Sequence, residues 1–425
     1  MPRIKPFRAV RYDAESLNMA QIVSPPYDVI SPELQNDLYR RHSFNAVRLE
    51  LPKEENGYEL AAERFNQWQA QNILSRDAQS ALYPYEQTFL NAHGATTTRK
   101  GFFCLLELEE FSKGDVLPHE KTLSGPKEDR LKILRAVRAN LSPVFGLYAG
   151  ASVNIASRLE RASIKTLVDI VDDHGERNVL RQCTDAAAIE FVVSEIRNAK
   201  IYIADGHHRY ETALAYRDEM RRAFPGAPQD APWNYILIYL SDINDPALEI
   251  QPTHRLVHSL PRFDQRVFET KLTDVFDLNY YESIDAGIKE LLKRSSDTLL
   301  LVYPDVSQVT LAMLKRDANI DALFGGSVPP LLRELSVEIL HGLVLRNILG
   351  LTEEMQMKKM NLEYVHTLQE VKNALAAGHV QFGALLNPTT LAQLRGAAEA
   401  GLILPQKSTY FYPKLLSGLV FHRFE

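Results

Sequence analysis

The residues with the clearest chemical potential are Asp205, Gly206, His207, His208 and Arg209, which follow directly on the apolar run Ile201-Tyr202-Ile203-Ala204. That run predicts a buried strand over Lys200 to Ala204, and the residues after Gly206 predict a helix from His207 to Phe224. Gly206 permits a sharp bend between the two and lets a ligand approach the main chain. The first N–H groups of a helix have no partner within it, and the helix dipole makes that end electropositive. Cations there are disfavoured by about 0.3–1 kcal/mol per charge. A bound anion would reverse that balance, and phosphate suits it because a guanidinium grips phosphate through two parallel hydrogen bonds. Asp205, Gly206, His208 and Arg209 are therefore candidate phosphate-binding residues. The plainer reading is a capped helix whose histidines fill surface and core positions. Adjacent histidines point in different directions on a helix, which argues against a metal-binding pair.

A second polar stretch runs from His119 to Arg130. The loop over 118–125 leads into a helix expected from about Lys127 to Asn140, with Pro126 suited to a first helical turn. Lys127 and Arg130 lie three apart, share a helix face, and would hold a second phosphate group. Glu120 sits beside these cations and is a candidate general base, with Asp28 of the Pro25-Pro26-Tyr27-Asp28 turn as a second carboxylate. Charge pattern alone equally describes a solvated loop and an ordinary helix start. Ser124-Gly125-Pro126-Lys127 lacks the glycine spacing of a Walker loop. Accessory candidates are His119, His254 and Arg255 of Pro252-Thr253-His254-Arg255, and Lys407 of the aromatic-basic run Lys407 to Lys414, which reads as an anchor packing back on the body.

The elements that must position these residues belong to a chain of 425 residues, long enough for two or three subdomains. Helices are expected over Tyr58 to Asn72, Ala186 to Arg197 and Thr389 to Ala400, and a long packed helix over Leu331 to Leu351. Strands are expected over Gly101 to Leu108, Tyr235 to Leu240, Thr298 to Tyr303, Val309 to Leu314 and Val380 to Leu386. Tyr-Ile-Leu-Ile-Tyr-Leu at 235–240 has no polar alternation, which suits a central strand covered on both faces. The pattern is mixed α/β, or α+β, with a boundary near Leu260 that separates 1–260 from 261–425.

Composition narrows the function. Lys plus Arg is 48 and Asp plus Glu is 54, a net charge of −6. A general nucleic-acid binder or a protein of anionic membranes needs the opposite balance. No apolar stretch is expected to span a bilayer, and no signal peptide is read at the start. Cys104 and Cys183 are too few for a disulfide framework or a zinc cage, which points to a reducing cytosol.

Taken together, Pro25 to Ile30, His119-Glu120 with Gly125 to Lys127 and Asp129 to Leu131, Asn140 to Pro143, Ala204 to Thr212, Pro252 to Arg255 and Lys407 to Gly418 resemble the family catalogued as domain of unknown function 1015. Asp-Gly-His-His-Arg after a strand is also similar to the phosphate-binding motif of the ParB/sulfiredoxin-like fold, a group that includes sulfiredoxins, CTP-binding partition proteins and free serine kinases. The resemblance implies a ParB/sulfiredoxin-like phosphate-binding core with insertions, followed by a C-terminal α/β region. His207 stands where sulfiredoxins carry cysteine, so sulfinic-acid reduction is not expected, and no helix-turn-helix suggests a partition protein. What remains is a nucleotide-dependent phosphotransferase acting on a small hydroxylated metabolite, free serine being one, with ATP or ADP and Mg²⁺ as cofactors. Two alternatives stay open. One is a phosphatase for a phosphomonoester such as phosphoserine, with His207 or His208 as nucleophile or general acid; the other is a nucleotide-sensing module without turnover.

Overall fold

The computed structural model describes residues 1–122, 124–151, 155–162, 165–294, 296–305, 308–326 and 328–424. Leu123, in the loop singled out above, lies outside them. The fold is mixed α/β. It divides into two units. The first contains Met1–Pro118, Thr122–Glu249 and Phe411–Glu425, and the second contains His119–Lys121 and Ile250–Tyr410.

The first unit is built on a nine-stranded sheet. Its strands are β1 (Ile4–Lys5), β2 (Tyr83–Leu90), β3 (Thr96–Glu107), β4 (Val116–Leu117), β5 (Val144–Ala149), β6 (Lys165–Val171), β7 (Arg177–Gln182), β8 (Lys200–Asp205) and β9 (Tyr235–Asp242). They run in the order β4-β8-β5-β9-β3-β2-β7-β6, with β1 beside β3. The β8–β4 and β9–β5 pairs are parallel, and the other pairs are antiparallel. β9 is interior and buried from Ile236 to Ser241, as its lack of polar alternation predicts. Ile201 and Ile203 of β8 join Ile236, Ile238 and Leu240 in one apolar core, closed by Val192 and Ile196 of the helix Ala186–Arg197. Asp185 caps that helix by accepting the Ala188 N–H. The helix His207–Ala223 leaves β8 and packs against the helix Ser124–Val137, which in turn packs against the helix Gly57–Ala70.

The second unit carries a six-stranded, wholly antiparallel sheet of β10 (His254–His258), β11 (Phe276–Tyr281), β12 (Thr298–Val302), β13 (Val309–Leu314), β14 (Leu362–Val365) and β15 (Val380–Leu386). The order is β11-β13-β12-β15-β10-β14. Side chains alternate across a strand, so β12 feeds two cores at once. Leu299 and Leu301 pack with Phe268, Leu340 and Phe382 on one face, and Leu300 and Val302 with Ile284, Val371 and Leu385 on the other.

The segment expected as one helix over Leu331 to Leu351 is instead broken. Pro330–Arg333 ends at Glu334, Leu335 is extended, and Ser336–Glu338 then continues into a π-helical stretch, Ile339–Ile348. Every residue from Ile339 to Leu345 is buried, so the later part packs as the apolar run predicts, whereas the break falls before it, at Glu334 and Leu335. β3 begins at Thr96, well before the expected Gly101, because its polar first half still pairs with β2. No described helix is long and apolar enough to cross a membrane.

Candidate functional site

The apolar run of β8 ends at Asp205, and the chain turns through Gly206 at φ +89° into the helix His207–Ala223. Only glycine adopts that left-handed conformation without strain. Asp205 Oδ1 accepts the Gly206 N–H at 2.9 Å, and its Oδ2 faces two cations: Lys414 Nζ at 3.2 Å and an Arg209 terminal nitrogen at 3.6 Å. Asp205 thus bridges two cations at the electropositive end of a helix. Arg209 also donates to the Pro143 carbonyl. Burial works against its charge, yet Asp205, Asp28, Tyr27 and Glu50 together hold its pKa above the usual arginine value.

Three further segments reach this turn. The short 3₁₀ turn Tyr27–Val29 brings Tyr27 and Asp28, the latter exposed. Burial, with Asp28 adding to it, pushes the Tyr27 hydroxyl up to about 12. Arg130 stacks on the Tyr27 ring, 4.1 Å from its centroid, and donates to the Glu50 carbonyl at 2.7 Å and to Asp129 Oδ2 at 2.8 Å. Tyr58 steadies Asp129 by donating to Oδ1 at 2.7 Å.

Glu50 ends the short helix Val47–Glu50 and is only 2% exposed, yet among the described residues neither of its carboxylate oxygens has a hydrogen-bond partner. It lines a cavity of about 50 Å³ together with Arg130, Arg209, Asn140, Ser142 and Thr212. The Thr212 hydroxyl is likewise buried without a partner among the described residues. Buried polar groups are normally satisfied, and exceptions cluster where a ligand or a reaction supplies the missing partner. A carboxylate that shares a cavity with two guanidinium groups can accept a proton from a bound hydroxyl, while the guanidinium groups hold an anion.

Of the sequence candidates, Asp28, Asp205, Gly206, Arg209 and Arg130 gather here. His207, buried, and His208, half-buried, start the same helix. Lys127 shares a helix with Arg130 but does not line the cavity: it pairs with Glu211 at 2.7 Å, and Thr122 donates to the same carboxylate oxygen at 2.8 Å. The expected two-cation phosphate grip of Lys127 and Arg130 is thus divided between different partners. Glu50, Tyr27, Thr212 and Lys414 are not among the sequence candidates, although Tyr27 and Lys414 lie in the proline turn and the aromatic-basic run named there. Glu50 carries no local signal, because Val47-Arg48-Leu49-Glu50 reads as an ordinary helical fragment; the charge becomes notable only through its burial.

Glu120, His119, His254, Arg255 and Lys407 form a separate cluster within the second unit. Glu120 accepts the Lys407 N–H, and His119 Nε2 lies 2.9 Å from the Thr409 hydroxyl. Arg255 is fully buried and donates to the Lys407 carbonyl at 3.0 Å, the Gln406 carbonyl at 3.3 Å and His341 Nε2 at 3.1 Å. Burial draws the Arg255 pKa down to about 10 and that of His341 to about 3. His254, also buried, accepts the Leu386 N–H at 3.3 Å and is lowered to about 4 by burial. These groups are spent on one another and on backbone.

Residues 4–338 match the family model described as Protein of unknown function (DUF1015). The chain belongs to this family. No curated protein matches the DUF1015 chain. Among solved structures, a conserved hypothetical protein from Pyrococcus furiosus is similar at 13% identity and a TM-score of 0.38, covering 75% of this chain and 94% of that one. A free serine kinase in complex with AMP is similar at 12% identity and 0.38, covering 73% and 86%. SbnI with a C-terminal truncation, from Staphylococcus aureus, is similar at 10% identity and 0.36, covering 75% and 86%. At this level of likeness, the reading of the DUF1015 site rests on its own geometry.

Among the described residues, no group of three His, Cys, Asp or Glu side chains is placed to hold a metal ion. Mg²⁺ does not require one, since it is commonly held by one or two carboxylates together with substrate phosphates.

Proposed function

We propose that the first unit is a nucleotide-dependent phosphotransferase that phosphorylates a small hydroxylated metabolite, free serine being the first acceptor to test. The observation that carries this reading is Glu50, a buried carboxylate without a hydrogen-bond partner among the described residues, in one cavity with Arg130 and Arg209. Arg209, Lys414 and the main-chain N–H groups at the start of the helix His207–Ala223 take the phosphates of the nucleotide. Arg130 and Arg209 offset charge on the transferred group, and Glu50 takes the proton of the acceptor hydroxyl. Asp28, exposed at the same turn, would share a Mg²⁺ ion with the phosphates. That ion would neutralise charge as the phosphoryl group moves. Phosphoryl transfer asks chiefly for position and charge neutralisation, which this set of groups supplies. Three charge-assisted contacts of about 1.5–3 kcal/mol each supply about 4.5–9 kcal/mol, and micromolar binding at roughly −8 kcal/mol takes them near the upper end of that range.

The test is to incubate the protein with serine plus ATP or ADP and, separately, with phosphoserine alone. Nucleotide-dependent formation of phosphoserine is the expected result. Phosphate released from phosphoserine without nucleotide would establish a phosphatase instead, and saturable nucleotide binding with no product would establish a sensor. Arg209→Ala is expected to lose nucleotide binding; if it binds as well as the wild type, the site is misplaced.

A further inference from the structure

Arg99 lies in the middle of β3 and is fully buried, yet no carboxylate among the described residues is within ion-pairing distance of it. A buried cation without a counter-ion is costly unless its hydrogen bonds are well made. The Arg99 guanidinium lies 4.8 Å from the Phe145 ring centroid and 6.0 Å from that of Tyr239, which offsets part of the cost. Its terminal nitrogens are spent mainly on one short segment: they donate to the Tyr412 carbonyl at 3.2 Å and the Pro413 carbonyl at 2.6 Å. Its remaining bond goes to Gln87 Oε1, directly across the strand pair. Gln87, also fully buried, completes the series by donating from Nε2 to the Lys414 carbonyl at 3.0 Å. Three successive carbonyls are therefore held by two adjoining side chains. From the last of those residues, the side chain of Lys414 runs to Asp205 Oδ2.

We propose that Arg99 and Gln87 are positioning residues that set the Lys414 ammonium at the anion site, making the segment 412–414 part of the ligand site. This rests on the phosphate-binding reading given above. The clamp fixes main chain rather than side chain, so the ammonium is delivered by a backbone that has little freedom to move. A lysine on an untethered terminal segment would lose much of its binding contribution to ordering that segment.

Gln87→Glu keeps an acceptor for Arg99, adds an opposite charge beside it, and removes the donor to the Lys414 carbonyl and to Asn178 Oδ1, so its thermal unfolding is measured first to show that the variant is folded. With ADP as the probe and calorimetry as the readout, Lys414→Ala is expected to weaken binding about tenfold and Gln87→Glu by a comparable factor. The double variant is expected to be no weaker than Lys414→Ala alone. Additive losses, or a folded Gln87→Glu protein that binds ADP like the wild type, would overturn the proposal. Arg99→Lys, which retains charge without the planar fork, should behave as Gln87→Glu does. If the wild type binds no ADP, the phosphate-binding reading fails, and the clamp is then read from the rate at which acetic anhydride modifies Lys414, followed by mass spectrometry. Faster modification in Gln87→Glu than in the wild type supports the clamp, and equal rates overturn it.

Discussion

The side chain of Arg209 lies across Gly206, so that a Cβ added there would stand 2.9 Å from the guanidinium Nε. The bare glycine lets the chain turn at φ +89° and also leaves room for the arginine to fold back toward Asp205. Gly206→Ala should therefore lose on both counts. The left-handed backbone alone costs about 1–2 kcal/mol, and the displaced arginine should lower nucleotide affinity further. Thermal unfolding and ADP calorimetry on the same sample separate the two effects. An unchanged affinity would mean that the arginine finds the same position without the glycine.

Glu50→Gln keeps the shape of the side chain and removes its ability to take a proton. Under the phosphotransferase reading, turnover falls by about 10²-fold or more while nucleotide binding persists. Steady-state rates with the preferred acceptor, alongside ADP binding, check this. Full activity in the variant would leave Asp28 as the base.

Arg130 and Lys127 share a helix but should respond very differently to truncation. Arg130 is nearly buried and tied to Tyr27, Asp129 and the Glu50 carbonyl, so Arg130→Ala should cost about 2–4 kcal/mol. The Lys127–Glu211 pair is partly exposed, so Lys127→Ala should cost less than about 1 kcal/mol. Urea unfolding of the two variants side by side is the measurement, and equal losses would contradict this geometry.

His254 and His341, buried in the second unit, are lowered by burial to about 4 and about 3. Their folded pKa values lie below the unfolded one of about 6.5, so the unfolded chain binds more protons between those limits. Stability should then fall as pH drops from about 6.5 toward 4. His341 accepts from Arg255 through Nε2, while its Nδ1 lies 2.7 Å from Gln356 Oε1, so protonation would set one N–H against another. His341→Gln should flatten the dependence of the unfolding midpoint on acid, and an unaltered slope would refute this account.

Glu176 works in the opposite direction. Burial raises its carboxyl to about 7, so the folded chain holds a proton that the unfolded chain has released. Its contribution is present below about pH 4.5 and is lost as pH rises through about 7. Glu176→Gln should raise the melting temperature at pH 8 by a few degrees and have little effect at pH 5, as calorimetry at both values would show.

The parts of this protein legible without coordinates are those dictated by neighbours in the chain. Ala186–Arg197, Val309–Leu314 and Val380–Leu386 occur with the boundaries their patterns predict, and the strand–turn–helix through Gly206 ends within a residue of expectation. An apolar run, a glycine and a helical period act over a few residues and leave their mark there. The unread strands, such as Lys165–Val171 with its mostly exposed pattern, lack that mark because cross-strand pairing holds them in place.

Which charges meet was decided only by the tertiary structure. Lys414 reaches Asp205 across 209 residues of chain, and the burial that makes Glu50 notable comes from elements far from it in sequence. Local composition named Asp205, Gly206 and Arg209 because a helix start is a local electrostatic event. It could not name their partners, because the energy of a buried charge depends on what surrounds it in space.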